Sequence, residues 1–256
     1  MDDATRYDDW WPEGETVLGI WAHPDDEAYL SAGLMARTVR SGGRVVCRHA
    51  TRGERGTPDP ESWPPERLAP LRERELAASL TALGVVEHAF LGYADGDCDR
   101  VPMAEVVPVL AELIRELRPD LVVTFGPDGI TGHPDHQAVS RWATAAWREA
   151  GYGRLRYAVS TESFLSRFAD VHERLGLLSG DAPSVPDEQV ALAVRLTEAE
   201  LDVKRAALAG HASQTGPLAA AMGEQTYRHW YAAETFRAPT AEELAAAAAV
   251  VAEAAS

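Results

Sequence analysis

Short runs of β-branched and aromatic residues alternate along this chain with longer helical patterns. That alternation restricts the fold most, because strands separated by helices close into βαβ units around a mostly parallel sheet. The predicted strands are Thr16–Ala22, Arg44–Thr51, Glu87–Leu91, Leu121–Phe125 and Leu155–Ser160. Helical patterns fall near Glu27–Arg40, Glu66–Leu83, Val101–Leu117 and Pro134–Ala150, with Gly42, Gly43 and Gly84 as C-terminal stops. The expected fold is α/β, a Rossmann-like mostly parallel sheet with flanking helices.

With 256 residues, 46% of them hydrophobic, the chain can bury one sizeable core. Residues 1–256 are therefore read as one domain with a helical C-terminal part from about residue 197. Thr197 with Glu200, and Thr240 with Glu243, fit capping boxes that open two late helices. The last helix, from Ala241, carries Leu244, Val250 and Val251 roughly on one side and reads as a packing or homo-oligomer face. Arg52–Pro70, rich in Pro and charge, is expected to be a long loop over the sheet edge.

Charge narrows the partners. The formal net charge of -16 repels phosphate backbones and anionic lipid headgroups, so neither nucleic acid nor membrane is an expected partner. No apolar stretch approaches the roughly 20 residues that span a bilayer, and the start (Met1, Asp2, Asp3) is acidic where a signal peptide would be basic. A cytoplasmic location is expected. Cys47 and Cys98 lack CxxC spacing and read as free thiols. Lys204, the only lysine, is expected on an exposed helical face, which leaves P-loop and Schiff-base chemistry without support. Gly151-Tyr-Gly153 lacks the third glycine of a dinucleotide fingerprint, and there is no Gly-x-Ser-x-Gly elbow.

In a doubly wound sheet, ligands bind beyond the carboxyl ends of the strands. Two His-Asp clusters fall there: His23-Pro24-Asp25-Asp26-Glu27 after the first strand, and His133-Pro134-Asp135-His136 after the fourth. Taken singly, the acids could be residues favoured by a helix dipole, and the histidines ordinary residues at a helix start. Converging on one sheet edge, two His and a carboxylate supply the ligand set of an open zinc site, which also suits Fe²⁺. Such an ion lowers the pKa of a coordinated water to about 7, and an adjacent acid that does not ligate can take the proton. Asp25 and Asp26 are neighbours, so one can face the metal and the other the water.

Ala22-His-Pro-Asp-Asp-Glu27 with His133-Pro-Asp-His136 resembles the LmbE/PIG-L family of metal-dependent de-N-acetylases. Thr51-Arg-Gly-Glu-Arg-Gly56, Arg72 with Glu75-Leu76, Gly92-Tyr-Ala-Asp95-Gly and His211-Ala-Ser-Gln214 extend the resemblance over most of the chain. It implies that His23, Asp26 and His136 bind one zinc and that Asp25 is the general base. It further implies that His133 stabilises the oxyanion, oriented by Asp135. A carboxylate on that imidazole would favour its charged form. The implied fold is Rossmann-like and the implied substrates are N-acetylated sugars or glycosides, with related amidases acting on thiol conjugates.

Glu54, Arg72 and Asp95, charged groups near predicted strand ends, are candidates for binding sugar hydroxyls. Cys98 receives no role. The resemblance puts His211 near the pocket, whereas His49, His88, His172 and His229 lack acidic partners at metal spacing and read as structural or surface residues. Trp10, Trp11 and Trp63 flank loops and are read as packing residues. Two other readings stay open at this point. Two His and one carboxylate also form the facial triad of non-haem iron oxygenases, although the sheet pattern and the spare base Asp25 disfavour it. A metal-binding module without catalysis would need neither Asp25 nor His133.

Overall fold

Every predicted strand in the first two-thirds of the chain forms, and the strand order explains where the site lies. The computed structural model describes residues 6–7, 14–178 and 182–254, with side chains for 14–178 and 182–248. Met1, Asp2, Asp3, Trp10 and Trp11 lie outside the described residues, as do the side chains of Val250 and Val251. The strands are β1 (Arg6–Tyr7), β2 (Thr16–Trp21), β3 (Arg44–His49), β4 (Glu87–Phe90), β5 (Leu121–Phe125), β6 (Arg154–Ala158), β7 (Leu192–Arg195) and β8 (Ala233–Arg237). The helices are α1 (Asp26–Arg40), α2 (Pro65–Leu83), α3 (Met103–Leu117), a short turn α4 (Gly129–Gly132), α5 (Pro134–Ala150), α6 (Glu162–Arg167), α7 (Ala169–Leu175), α8 (Glu198–Gly210), α9 (Ala212–Met222), α10 (Glu224–Trp230) and α11 (Ala241–Ala254).

The sheet order is β1-β7-β8-β6-β5-β2-β3-β4, with β2 to β6 mutually parallel and β8 antiparallel to β6 and β7. From β2 the chain winds outward through β3 and β4, then crosses back to β5 on the other flank of β2. The carboxyl ends of β2 and β5 therefore frame the switch point, where a doubly wound sheet leaves a crevice. β2 and β5 are covered on both faces, which is why Leu121–Phe125 is apolar almost without alternation and entirely buried. Helix α3 buries Val106, Val107, Leu110, Ala111 and Ile114, a stripe at helical spacing. Gly84 caps α2 at φ 74, a left-handed position where a Cβ is disfavoured. Among the described residues, no helix is long and apolar enough to cross a membrane.

Several expectations change. Helix α2 begins at Pro65, so the loop after β3 is shorter than Arg52–Pro70: Pro65 takes the first helical position, whose N–H has no partner in any helix. The C-terminal part includes β8, which inserts between β6 and β7 as a strand. The capping box at Thr197 is present, and Thr240 and Glu243 exchange the equivalent bonds. Trp63 lies beneath the Arg67 guanidinium, 4.3 Å from its ring centroid.

Lys204 is fully buried rather than exposed. Its Nζ donates to Glu234 Oε1 and to Tyr29 O, both at 2.7 Å, and the Glu234 carboxylate also accepts from the backbone of Gly33 and Leu34. The pair ties α8 to β8 and α1. Removing one partner of a buried ion pair strands the other charge, so Lys204→Met is expected to cost about 3–5 kcal/mol in urea unfolding. A loss under about 1 kcal/mol would contradict this account.

Candidate metal centre and active site

Strand β2 ends at Trp21, and the next residues turn sharply into α1. Asp25 sits at that turn with φ 121, a conformation costly for a residue with a Cβ. Its backbone N–H donates to Glu27 Oε2 at 2.9 Å, while its carbonyl accepts from Ala28 and Tyr29 to start the helix. Asp26 Oδ2 accepts from His23 N at 2.8 Å. On the other side, the segment after β5 turns through Asp128, whose carboxylate accepts from Ile130 N, and delivers His136 in the first turn of α5.

The three expected ligands meet. His23 Nδ1 lies 3.2 Å from His136 Nε2, and His136 Nε2 lies 3.4 Å from Asp26 Oδ1. Each imidazole has its other nitrogen occupied. His136 Nδ1 donates to Gly129 O at 3.0 Å, and the ring stacks on Phe125 with centroids 4.1 Å apart. His23 Nε2 faces Asp135 Oδ2 and Asp95 Oδ1, each at 3.1 Å. Such partners orient the two rings and turn their remaining nitrogens toward each other. A divalent ion fits that donor set: two nitrogens about 2.0–2.1 Å from one tetrahedral ion lie roughly 3.3–3.4 Å apart.

Electrostatics agree with a site built for a cation. Burial alone would lower the His23 pKa, but the carboxylates of Asp135, Asp95 and Asp26 push it up to about 10. Burial lowers that of His136. Without an ion, a proton on His23 Nδ1 bridges to His136 Nε2. Below about pH 10 an incoming ion must displace that proton, so apparent affinity is expected to rise about tenfold per pH unit near neutrality. Calorimetry in buffers of different ionisation enthalpy should find about one proton released per ion. An affinity independent of pH would contradict it.

Asp25 stands beside this set, mostly buried. Burial raises its carboxyl pKa to about 6; Asp26 adds to the rise, while Arg72 opposes it from 3.4 Å. Arg72 is buried, donating to Gly53 O and Pro24 O as well. Gly53 has φ 63, and a Cβ there would overlap the Arg72 guanidinium, which accounts for the glycine in Thr51-Arg-Gly-Glu. Arg72 thus holds the turn that presents Asp25, with its Nε buried and without a hydrogen-bond partner among the described residues.

Two other expected roles change. Asp135 is completely buried, and its carboxylate accepts from His23, Gly96 N and Cys98 N. Burial works against its charge, yet these donors hold its pKa down at about 2. Asp135 therefore orients His23 instead of His133. His133 caps α5, its Nδ1 accepting from Asp135 N at 3.1 Å, which leaves Nε2 to carry the proton of a neutral ring. Its ring is exposed and lies 4.9 Å from that of His23. Asp95, expected on sugar hydroxyls, is buried between His23 and Arg55 N. Glu54 Oε1 accepts from Asp95 N, but its Oε2 is buried with no hydrogen-bond partner among the described residues. Of the three charged candidates, Glu54 keeps an acceptor uncommitted.

Glu27 was readable only as a helix-dipole acid, yet it underpins the site. It is fully buried and collects Asp25 N, Ser79 Oγ at 2.9 Å, His49 Nε2 at 3.2 Å and His211 Nε2 at 2.6 Å. His49 thus has an acidic partner after all, and His211 sits one residue behind the metal set. Burial opposes ionisation of Glu27, and the two histidines nevertheless hold its pKa well below the usual range. Their partners lie 22 and 184 residues away in sequence, so no spacing could announce them. Cys47 and Cys98 are buried free thiols.

The comparisons with known proteins agree with the geometry. The family described as PIG-L, GlcNAc-PI de-N-acetylase, matches residues 18–147, just over half of the chain. A Rhodococcus jostii protein named 1D-myo-inositol 2-acetamido-2-deoxy-alpha-D-glucopyranoside deacetylase is 33% identical over 237 residues, covering 77% of this chain and 81% of that protein. A Kineococcus radiotolerans protein of the same name is 35% identical over 247 residues, covering 77% and 68%. The N,N'-diacetylchitobiose deacetylase of Pyrococcus horikoshii shares the fold, with a TM-score of 0.60 at 24% identity over 87% of this chain and 83% of that one.

Proposed function

Because the chain belongs to the PIG-L (LmbE-like) family, we propose that it hydrolyses the N-acetyl group of an N-acetylated sugar or glycoside, with one zinc ion held by His23, Asp26 and His136. The reaction class is hydrolysis of a linear amide C–N bond, and the family is metal-dependent. The observation that carries the reading is the pair of imidazole nitrogens 3.2 Å apart beside a carboxylate, with a second acid next to them. When bound, the ion would polarise the amide carbonyl and make water more acidic.

The chain's own residues do the rest. Asp25 takes the proton of the attacking water and returns it to the leaving nitrogen as the C–N bond breaks, giving acetate and a free amine. His133 donates from Nε2 to the carbonyl oxygen as negative charge builds on it. Arg72 and Glu27 keep Asp25 in its strained conformation. Glu54 accepts from a sugar hydroxyl. We further propose that residues 1–256 act as one unit on a small-molecule substrate in the cytoplasm; the acidic composition supports this and disfavours nucleic acid.

The test is acetate release from N-acetylglucosaminyl-inositol and from N,N'-diacetylchitobiose by the zinc-loaded protein. Release supports the assignment; reductant-dependent oxygen consumption without acetate would replace it with oxygenase chemistry. Since the base must be ionised, kcat/KM at saturating metal is expected to fall on the acid side as Asp25 takes up a proton; burial raises its carboxyl pKa and the bound ion opposes that rise. The same acid limb in Asp25→Asn, at whatever residual rate it retains, would remove Asp25 from the role.

A further inference from the structure

Asp26 and His136 are the two proposed ligands that line a cavity of about 1220 Å³, room enough for a glycoside. Its wall mixes aromatic rings with hydroxyls and charged side chains. Tyr29 belongs to that wall, three residues after Asp26 on α1 and therefore about 4.5 Å further along the helix. Its ring packs edge-on against Trp230, with centroids 5.8 Å apart, and its carbonyl accepts from the buried Lys204 Nζ at 2.7 Å. Ring and backbone are thus both held in place.

Tyr29 Oη accepts a hydrogen bond from Tyr227 Oη at 3.1 Å, and its own O–H meets no acceptor among the described residues. Tyr227 is buried and stands outside the cavity wall, so the bond that Tyr29 receives comes from the protein interior. The proton that remains is the one a cavity occupant can meet. An O–H left unpaired in a half-buried place is unfavourable, which gives that occupant's acceptor its value. Burial first, then Tyr227 and the charge of Asp25, raises the Tyr29 pKa above that of an ordinary phenol. The hydroxyl therefore stays protonated near neutral pH, close enough to the Asp25 carboxylate to feel its charge. In the proposed reaction the amide carbonyl already has the ion and His133, so the acceptors left for Tyr29 are the hydroxyl oxygens of the sugar. Glu54, a carboxylate, can only accept; Tyr29 supplies the complementary donor.

Resting on the de-N-acetylase reading, we infer that Tyr29 is a specificity-determining residue, whose phenol donates a hydrogen bond to one hydroxyl of the amino sugar. The zinc-loaded full chain is tested for acetate release from N-acetylglucosaminyl-inositol and from its analogues lacking the 3-, 4- or 6-hydroxyl of the sugar ring. The analogue without the partner hydroxyl is expected to lose roughly tenfold in kcat/KM with the unaltered protein. Tyr29→Phe should cancel that one penalty, leave the other two as they were and keep about one ion per chain. Because Tyr29→Phe takes the acceptor from the buried Tyr227 hydroxyl, the double variant with Tyr227→Phe is measured beside it and should show the same cancellation. If no analogue is penalised, if every penalty persists in both variants, or if Tyr29→Phe loses equally on all four compounds, the inference is wrong while the de-N-acetylase reading stands. If no compound yields acetate, that reading fails and the inference fails with it.

Discussion

Asp25→Asn is expected to keep its metal and lose about 10²–10⁴-fold in kcat, with little change in KM. The amide is nearly isosteric and can still accept from Arg72, 3.4 Å away, so the turn at φ 121 need not rearrange. What it loses is the ability to take a proton from water. Ion content and turnover must be read on the same preparation. Loss of the ion would make Asp25 a ligand or a structural support, and nearly full kcat with the ion bound would exclude it as the base.

The neighbouring change has the opposite signature. Asp26→Ala is expected to lose both the ion and the activity, because Asp26 supplies the carboxylate of the three-ligand set and its other oxygen anchors His23 N. His136→Ala removes the nitrogen that faces His23 Nδ1 and is expected to behave likewise. Elemental analysis should find far less than one ion per chain in either variant, and activity should fall below that of Asp25→Asn. Either variant retaining a full ion and turnover would dissolve the proposed ligand set. Adjacent residues with opposite metal phenotypes would separate proton transfer from ion binding.

The two clusters were legible because strands announce their ends. The apolar run of β2 stops at His23-Pro24, and that of β5 stops at Gly126-Pro127, so both motifs had to lie at the carboxyl edge of a parallel sheet. Tertiary partners were not legible. Asp135 sits two residues from His133, and proximity in sequence suggested that pair; the fold turns its carboxylate toward His23 on another strand. Glu27 and Asp95 were hidden for the same reason. Strand β8 escaped because its five residues carry an inward Glu234 whose charge is answered by Lys204 from α8, so local hydrophobic pattern could show neither the strand nor the burial of that lysine.

The most direct measurement is an ion titration of the chelator-stripped protein, following acetate released from the N-acetylglucosaminide it turns over best. Activity is expected to be absent at the start, to rise in proportion to added Zn²⁺ and to level off at about one ion per chain. Full acetate release by the stripped protein, or none at any ion concentration, would contradict a metal-dependent de-N-acetylase.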